Sequence, residues 1–208
     1  MRNVTIKNKE LLSVLNDYSD LVYNLDLSKI GYEQYWRNAN NVDEAVSVEC
    51  LEKTKLDSKH EGFPLDSFGY DFLFTSQYKF THLYEEFEEY KTRINEVLGS
   101  KFSSLMMVYP PNGFIGWHTN ENCHGYNIIL SYSLKGNGFF RYQDPKTKEI
   151  ITLNDPVGWS AKAGYFGFKE EDIFWHTARG FEEHRLTCSF VLPHKGMWES
   201  MIEDIEND

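Results

Sequence analysis

A chain of 208 residues with 41% hydrophobic residues has the size and apolar content of one compact domain. A net charge of −11 works against binding to phosphate backbones, which clustered Lys and Arg drive, so nucleic acid is a disfavoured partner. No apolar run approaches the roughly 18 residues of a membrane span, and the start MRNVTIKNKE lacks a signal peptide's apolar segment. The expected location is therefore the cytoplasm, or a host's cytoplasm for a viral source. Cys50, Cys123 and Cys188 are odd in number, widely spaced and form no CxxC pair, so they are expected as reduced thiols.

In chain order, Leu11, Leu12, Leu15, Tyr18 and Val22 fall at helical spacing and predict a first helix. Residues 50–80 are mixed, with Gly62, Pro64 and Gly69 marking loops and a short strand expected at Tyr70–Phe74. Leu83, Phe87, Tyr90, Ile94 and Val97 predict a second helix, stopped by Gly99, and the Glu85, Glu86, Glu88, Glu89 run reads as its solvated face. From residue 103 the pattern changes to short apolar or alternating runs. They are Ser104–Tyr109, Phe114–His118, Tyr126–Leu134, Gly138–Tyr142, Ile150–Leu153, Gly158–Ala161, Tyr165–Phe168, Ile173–His176 and Arg185–Leu192. Turn chemistry at PPNG, KGNG, DPKTKE, NDPVG and ARG separates them. So many strands without intervening helices predict an antiparallel sandwich or barrel, and the whole chain reads as α+β. A single domain over 1–208 is expected, with helical support in 1–102, the strand-rich core in 103–193 and an acidic tail in 194–208.

Two histidines stand out, because His118 closes the run FIGWH and His176 closes the run DIFWH. Imidazole is the usual neutral ligand of divalent first-row metals, and a site open to oxygen needs few protein ligands. Taken singly, a histidine at a strand end is more often a hydrogen-bonded structural residue than a ligand. Arg185, nine positions after His176, stands where a guanidinium can hold a carboxylate through parallel hydrogen bonds, although alone it also fits a surface ion pair. Trp117 and Trp175 directly precede the histidines, so in strands they are expected on the opposite face.

The stretch Tyr109-Pro-Pro-Asn-Gly-Phe-Ile-Gly-Trp-His118-Thr-Asn120-Glu121 resembles the proximal segment of AlkB-type 2-oxoglutarate oxygenases. Ser160-Ala-Lys162-Ala-Gly164, followed by Phe174-Trp-His176 and then Arg185, is similar to the superfamily's distal segment. The run His118-Thr-Asn-Glu-Asn-Cys123 also resembles the aspartyl/asparaginyl β-hydroxylase branch, which uses two histidines and no nearby carboxylate. This resemblance covers about residues 104–192 and implies a double-stranded β-helix of jelly-roll, cupin-like form with the N-terminal helices packed on it. It also implies Fe(II), 2-oxoglutarate and O2, with hydroxylation of a C–H bond in a protein side chain or small molecule.

By the same resemblance His118 and His176 are the metal ligands and Arg185 binds the far carboxylate of 2-oxoglutarate. Tyr109 and Asn127 are expected co-substrate contacts, while Met107 stands where AlkB-type enzymes offer an Asn. Asn120 departs from the pattern, since the superfamily usually has Asp or Glu there. Three readings stay open: Asn120 as a weak third ligand, water in its place, or a site without chemistry. Glu121 ranks last as a substitute because one step along a strand turns its side chain to the other face. Arg179, His124 and His184 are spare candidates. The alternatives to the hydroxylase are a non-catalytic jelly-roll binding module and an AlkB-like nucleic-acid dealkylating dioxygenase, the latter opposed by the acidic composition and by the lack of a basic, aromatic-rich lid.

Overall fold

In the computed structural model, the described residues are 1–25, 41–57, 62–71, 82–100, 103–120 and 124–208. Helix α1 (Lys9–Asn24) begins where the Asn8 side chain accepts a hydrogen bond from the Leu11 N–H at 2.9 Å, satisfying one of the orphan donors of its first turn. Its apolar stripe of Leu11, Val14, Leu15, Tyr18 and Val22 is buried, as the helical spacing predicts. Two short helices, α2 (Val42–Ala45) and α3 (Val48–Leu56), follow. Helix α4 (His82–Leu98) ends at Gly99, whose φ of 62° suits glycine, and the Ser100 N–H reaches back to the Asn95 carbonyl at 2.9 Å.

Eleven strands form two antiparallel sheets, counted among the described residues. The larger runs in the order β1 (Arg2–Val4), β9 (Gly158–Phe166), β6 (Gly125–Ser133), β11 (Arg185–Leu192), β4 (Ser103–Tyr109) and β3 (Tyr70–Asp71). The smaller runs β2 (Ser67–Phe68), β5 (Phe114–His118), β10 (His176–Arg179), β7 (Phe139–Gln143) and β8 (Ile150–Asn154). The chain is therefore α+β. Helices and edge strands come first, and the main strands follow.

Strand alternation gives the larger sheet two unlike faces. Met106, Val108, Ile128, Leu130, Ala161, Ala163, Leu186, Cys188 and Phe190 point outward and join the buried stripes of α1, α4 and α5 (Lys195–Glu206) in the main apolar core. The inner face carries Asn127, Ser131, Ser133, Lys162, Arg185, Thr187 and Ser189, all buried. Between the sheets an aromatic-rich cluster includes Tyr109, Phe140, Tyr142, Phe166 and Phe174.

Several expectations need correction. Gly158–Ala161 and the start of Tyr165–Phe168 are one strand ending at Phe166, because Lys162-Ala-Gly164 continues the ladder opposite Ile129, Ile128 and Asn127. His176 begins its strand rather than ending one, since Phe174 and Trp175 approach it as irregular chain. Residues 194–208, read as an acidic tail, hold α5, whose Met201, Ile202 and Ile205 are buried against the sheet. The supporting region 1–102 also supplies β1, β2 and β3 as edge strands. The expected strand at Tyr70–Phe74 is present as Tyr70–Asp71, and residues 72–74 lie outside the described residues, as does Cys123. No described helix is long and apolar enough to cross a membrane.

Candidate metal centre and anion site

His118, the last residue of β5, and His176, the first of β10, are cross-strand partners. A bulge brings them to the interior: Ile115 to His118 on β5 spans the same ladder as His176 to Ala178 on β10, so one extra residue is accommodated. Consequently Ile115 and His118 both face inward although they are three residues apart, while Trp117 packs outward with Trp175 and Leu51. The Thr177 hydroxyl donates to the Ile115 carbonyl at 2.6 Å and stitches the bulge.

The two imidazole rings lie 4.1 Å apart between centroids and are tilted by 49°. Each Nδ1 faces a backbone carbonyl two residues back, His118 that of Gly116 at 2.8 Å and His176 that of Phe174 at 3.1 Å. A carbonyl only accepts, so Nδ1 carries the proton and the lone pair falls on Nε2 in both rings. That is the tautomer-fixing support typical of metal-bound histidines. With metal–nitrogen bonds of about 2.0–2.2 Å, two imidazoles at a right angle on one ion have centres roughly 4.5 Å apart, close to the spacing seen. Burial, with His118 as a neighbour, pushes the pKa of His176 well below the ordinary histidine value, so the ring is neutral as a ligand requires. Phe166, Phe140 and Phe174 stand 4.7, 5.6 and 5.6 Å from the His176 ring and wall this end of the interior with apolar surface.

Asn120 is half-buried just past the end of β5. Because the strand stops at His118, the alternation argument that favours Asn120 over Glu121 does not extend to them, and Glu121 lies outside the described residues. Among the described residues no group of three or more His, Cys, Asp or Glu side chains is placed to hold a metal.

Arg185 points inward, as expected, from the start of β11 and opposite Tyr109 on β4, with its guanidinium 5.5 Å from the centre of the Tyr109 ring. Burial raises the Tyr109 phenol pKa above its ordinary value despite the opposing effect of Arg185, so the hydroxyl stays protonated. The guanidinium bonds Thr187 Oγ1 and, at 3.1 Å, Ser131 Oγ. Phe166, next to His176, pairs with Gly125 at the far end of the sheet, so the strand β11 runs from Arg185 toward the histidines. Its hydrogen bonds to Thr187 and Ser131 therefore lean the guanidinium toward the histidine side.

What the sequence did not reveal is the counter-ion. Asp155, just after β8, receives Arg185 Nε at 2.6 Å on one oxygen and Lys162 Nζ at 2.8 Å on the other. Lys162, Arg185 and Asp155 are only 0%, 1% and 3% exposed. The backbone N–H of Asp155 is held by the Gly138 carbonyl at 2.9 Å. Gly138 lets the chain come this close, since a Cβ there would meet Asp155 Oδ2 at 2.5 Å and the Arg185 Cδ at 3.0 Å. Burial alone would raise the carboxyl pKa, but Arg185 and Lys162 outweigh it and Asp155 stays ionised. For Lys162, burial and the neighbouring Arg185 lower the pKa against the pull of Asp155. The clue in the sequence was Lys162 itself, a cation between alanines in a strand, which demands a buried anion.

Asn127 does not join Arg185. Its Nδ2 donates to the Gly125 carbonyl at 3.0 Å, and it lies six residues from Ser133, the β6 partner of Arg185, or roughly 20 Å along a strand. It stands instead on the inner face at the histidine end. The spare candidates fall elsewhere: Arg179 faces outward, bonded to Asp43 and stacked 4.4 Å over Phe181; His124 stacks on Phe168 at 4.3 Å; His184 lies edge-on to Tyr23 at 6.0 Å.

The sequence matches no protein family and no curated protein. Among solved structures, similarity is found to a prolyl-4-hydroxylase of Pseudomonas putida, at 13% identity over 88% of this chain and 99% of that one, with a TM-score of 0.34. An oxidoreductase of the 2OG-Fe(II) oxygenase family from Burkholderia pseudomallei is similar at 11% identity over 85% and 89%, with a TM-score of 0.35. A viral collagen prolyl hydroxylase from Paramecium Bursaria Chlorella virus-1 is similar at 11% identity over 73% and 92%, with a TM-score of 0.30. Values this low carry no argument about what this chain does, which rests on its own residues.

Proposed function

We propose that the chain is an Fe(II)- and 2-oxoglutarate-dependent dioxygenase built on a double-stranded β-helix. The observation that carries this reading is the buried pair His118 and His176, each with Nδ1 tied to a carbonyl and its lone pair on Nε2. The strand order adds support: β4 through β11 divide as β9-β6-β11-β4 and β5-β10-β7-β8, the two four-stranded antiparallel sheets of a jelly roll. The donor set suits a divalent first-row ion that keeps open positions for other ligands.

His118 and His176 would hold the metal, with Asn120 or water beside them, and Arg185 would receive the far carboxylate of 2-oxoglutarate. Iron(II) bound with 2-oxoglutarate would supply oxidation of a substrate C–H bond by O2, with release of succinate and CO2. The chain's own part is to orient the co-substrate between the histidine end and the cationic end, with Tyr109 packed against the guanidinium. The aromatic wall of Phe140, Phe166 and Phe174 excludes water. A small molecule or a protein side chain is the proposed substrate class.

One observation favours the rival reading of a jelly-roll binding module without iron: among the described residues no carboxylate accompanies the histidines. Protein loaded anaerobically with Fe(II) and then given 2-oxoglutarate and O2 decides between them. Succinate formation by wild type and its loss in His176→Gln support the oxygenase. Identical traces from the two proteins overturn it.

A further inference from the structure

We propose that Asp155 is a built-in competitor for the anion site, holding the Arg185 guanidinium closed until a carboxylate displaces it onto Lys162. This deepens the oxygenase reading and rests on it. Two cations, Lys162 and Arg185, share the single carboxylate Asp155 in a space from which all three are almost wholly excluded from water. With Lys162 protonated against Asp155, the cluster holds one positive charge in excess, and a buried uncompensated charge is costly. One incoming carboxylate balances it.

The neighbours show where the exchange takes place. Arg185 gives Nε to Asp155 Oδ2 and touches Asp155 Oδ1 with Nη2 at a longer 3.4 Å, while Lys162 holds Oδ1 at 2.8 Å. The remaining partners, Thr187, Ser131 and Ser160, are neutral hydroxyls, and the two cations offer more N–H donors than these acceptors take up. When a carboxylate takes the guanidinium, Lys162 keeps Asp155 ionised and hydrogen-bonded, so no buried charge is left alone. Lys162 is then a positioning residue that acts through Asp155. The net affinity of the clamp is set by three residues rather than by Arg185 alone.

The test is equilibrium binding of 2-oxoglutarate in the presence of Zn(II), with pyruvate as a keto acid that lacks the second carboxylate. Lys162→Met leaves Arg185 neutralised by Asp155 and should weaken 2-oxoglutarate at least about tenfold, the loss of a charge-assisted contact. Adding Asp155→Asn to Lys162→Met removes the competitor and should restore wild-type affinity or better, while pyruvate binds all three proteins alike. A double variant that remains as weak as Lys162→Met overturns the role of Asp155, with wild-type binding leaving the oxygenase reading standing. Wild type that binds neither compound sinks that reading and this proposal together. If a variant fails to fold, the wild-type Arg185 Nε–H NMR signal serves instead: it should move on adding 2-oxoglutarate to the Zn(II) protein, and a signal that stays in place while the compound binds overturns the exchange.

Discussion

The two faces of the larger sheet are made by the same strands and do opposite work. On β11, Leu186, Cys188 and Phe190 pack outward into the helix-covered core, while Arg185, Thr187 and Ser189 alternate with them toward a polar interior. Stability is concentrated where the apolar area is, since burying one such side chain stabilises by about 1.5–3 kcal/mol. The inner face gives up part of that gain, since Met107, Tyr109, Ile129 and Phe166 are buried there beside the polar residues. Its polar groups are satisfied mainly by one another.

Substitutions on the two faces should therefore separate folding from binding. Phe190→Ala, in the outer core, should cost about 3–5 kcal/mol of stability in urea unfolding; a loss under about 1 kcal/mol would show that the helices do not seal that face. Arg185→Gln removes the guanidinium but leaves Asp155 bonded to Lys162, so the fold should survive while 2-oxoglutarate binding falls by about a hundredfold. Titration calorimetry alongside a thermal melt checks both halves, and undiminished binding contradicts the assignment of Arg185. Asn120→Asp adds a fixed negative charge and should tighten metal binding by about tenfold if that side chain faces the ion. Equal affinity in the two proteins returns Glu121 to consideration. The smallest effect is expected at Asn8→Ala, where loss of the α1 cap should cost about 1 kcal/mol, with ligand binding unchanged.

Much of the architecture was legible because it rests on local periodicity. The α1 and α4 stripes and most of the strands follow directly from spacing, and the turn residues mark their ends. The joins were harder. Lys162-Ala-Gly164 falls between two expected runs, yet the ladder continues through it, with Asp155 paired to the lysine. His176 looked like a strand end because Ile173 to Trp175 are apolar, but that segment makes only isolated backbone contacts, Trp175 accepting from the Gln143 N–H at 2.9 Å and Ile173 bridging Gly167, before the ladder of β10 begins.

In the candidate site, the meeting of His118 with His176 and the inward turn of Arg185 follow the expectation drawn from their order in the chain and from the family resemblance, while their roles are proposed. Asp155 was not, because it sits in the turn NDPVG and its partners lie 7 and 30 residues away in the chain. Through-space charge pairing leaves no trace in periodicity. The separation of Asn127 from Arg185 was not legible either, because it depends on the register of β6 with β11.

The most direct test of the account is Mn(II) binding followed by electron paramagnetic resonance, in wild type, His118→Gln and His176→Gln, each with and without 2-oxoglutarate. One Mn(II) per chain is expected in wild type, bound more tightly when 2-oxoglutarate is present, with a loss of affinity of at least about a hundredfold in either variant. Equal Mn(II) binding by all three proteins, with no response to 2-oxoglutarate, would contradict it.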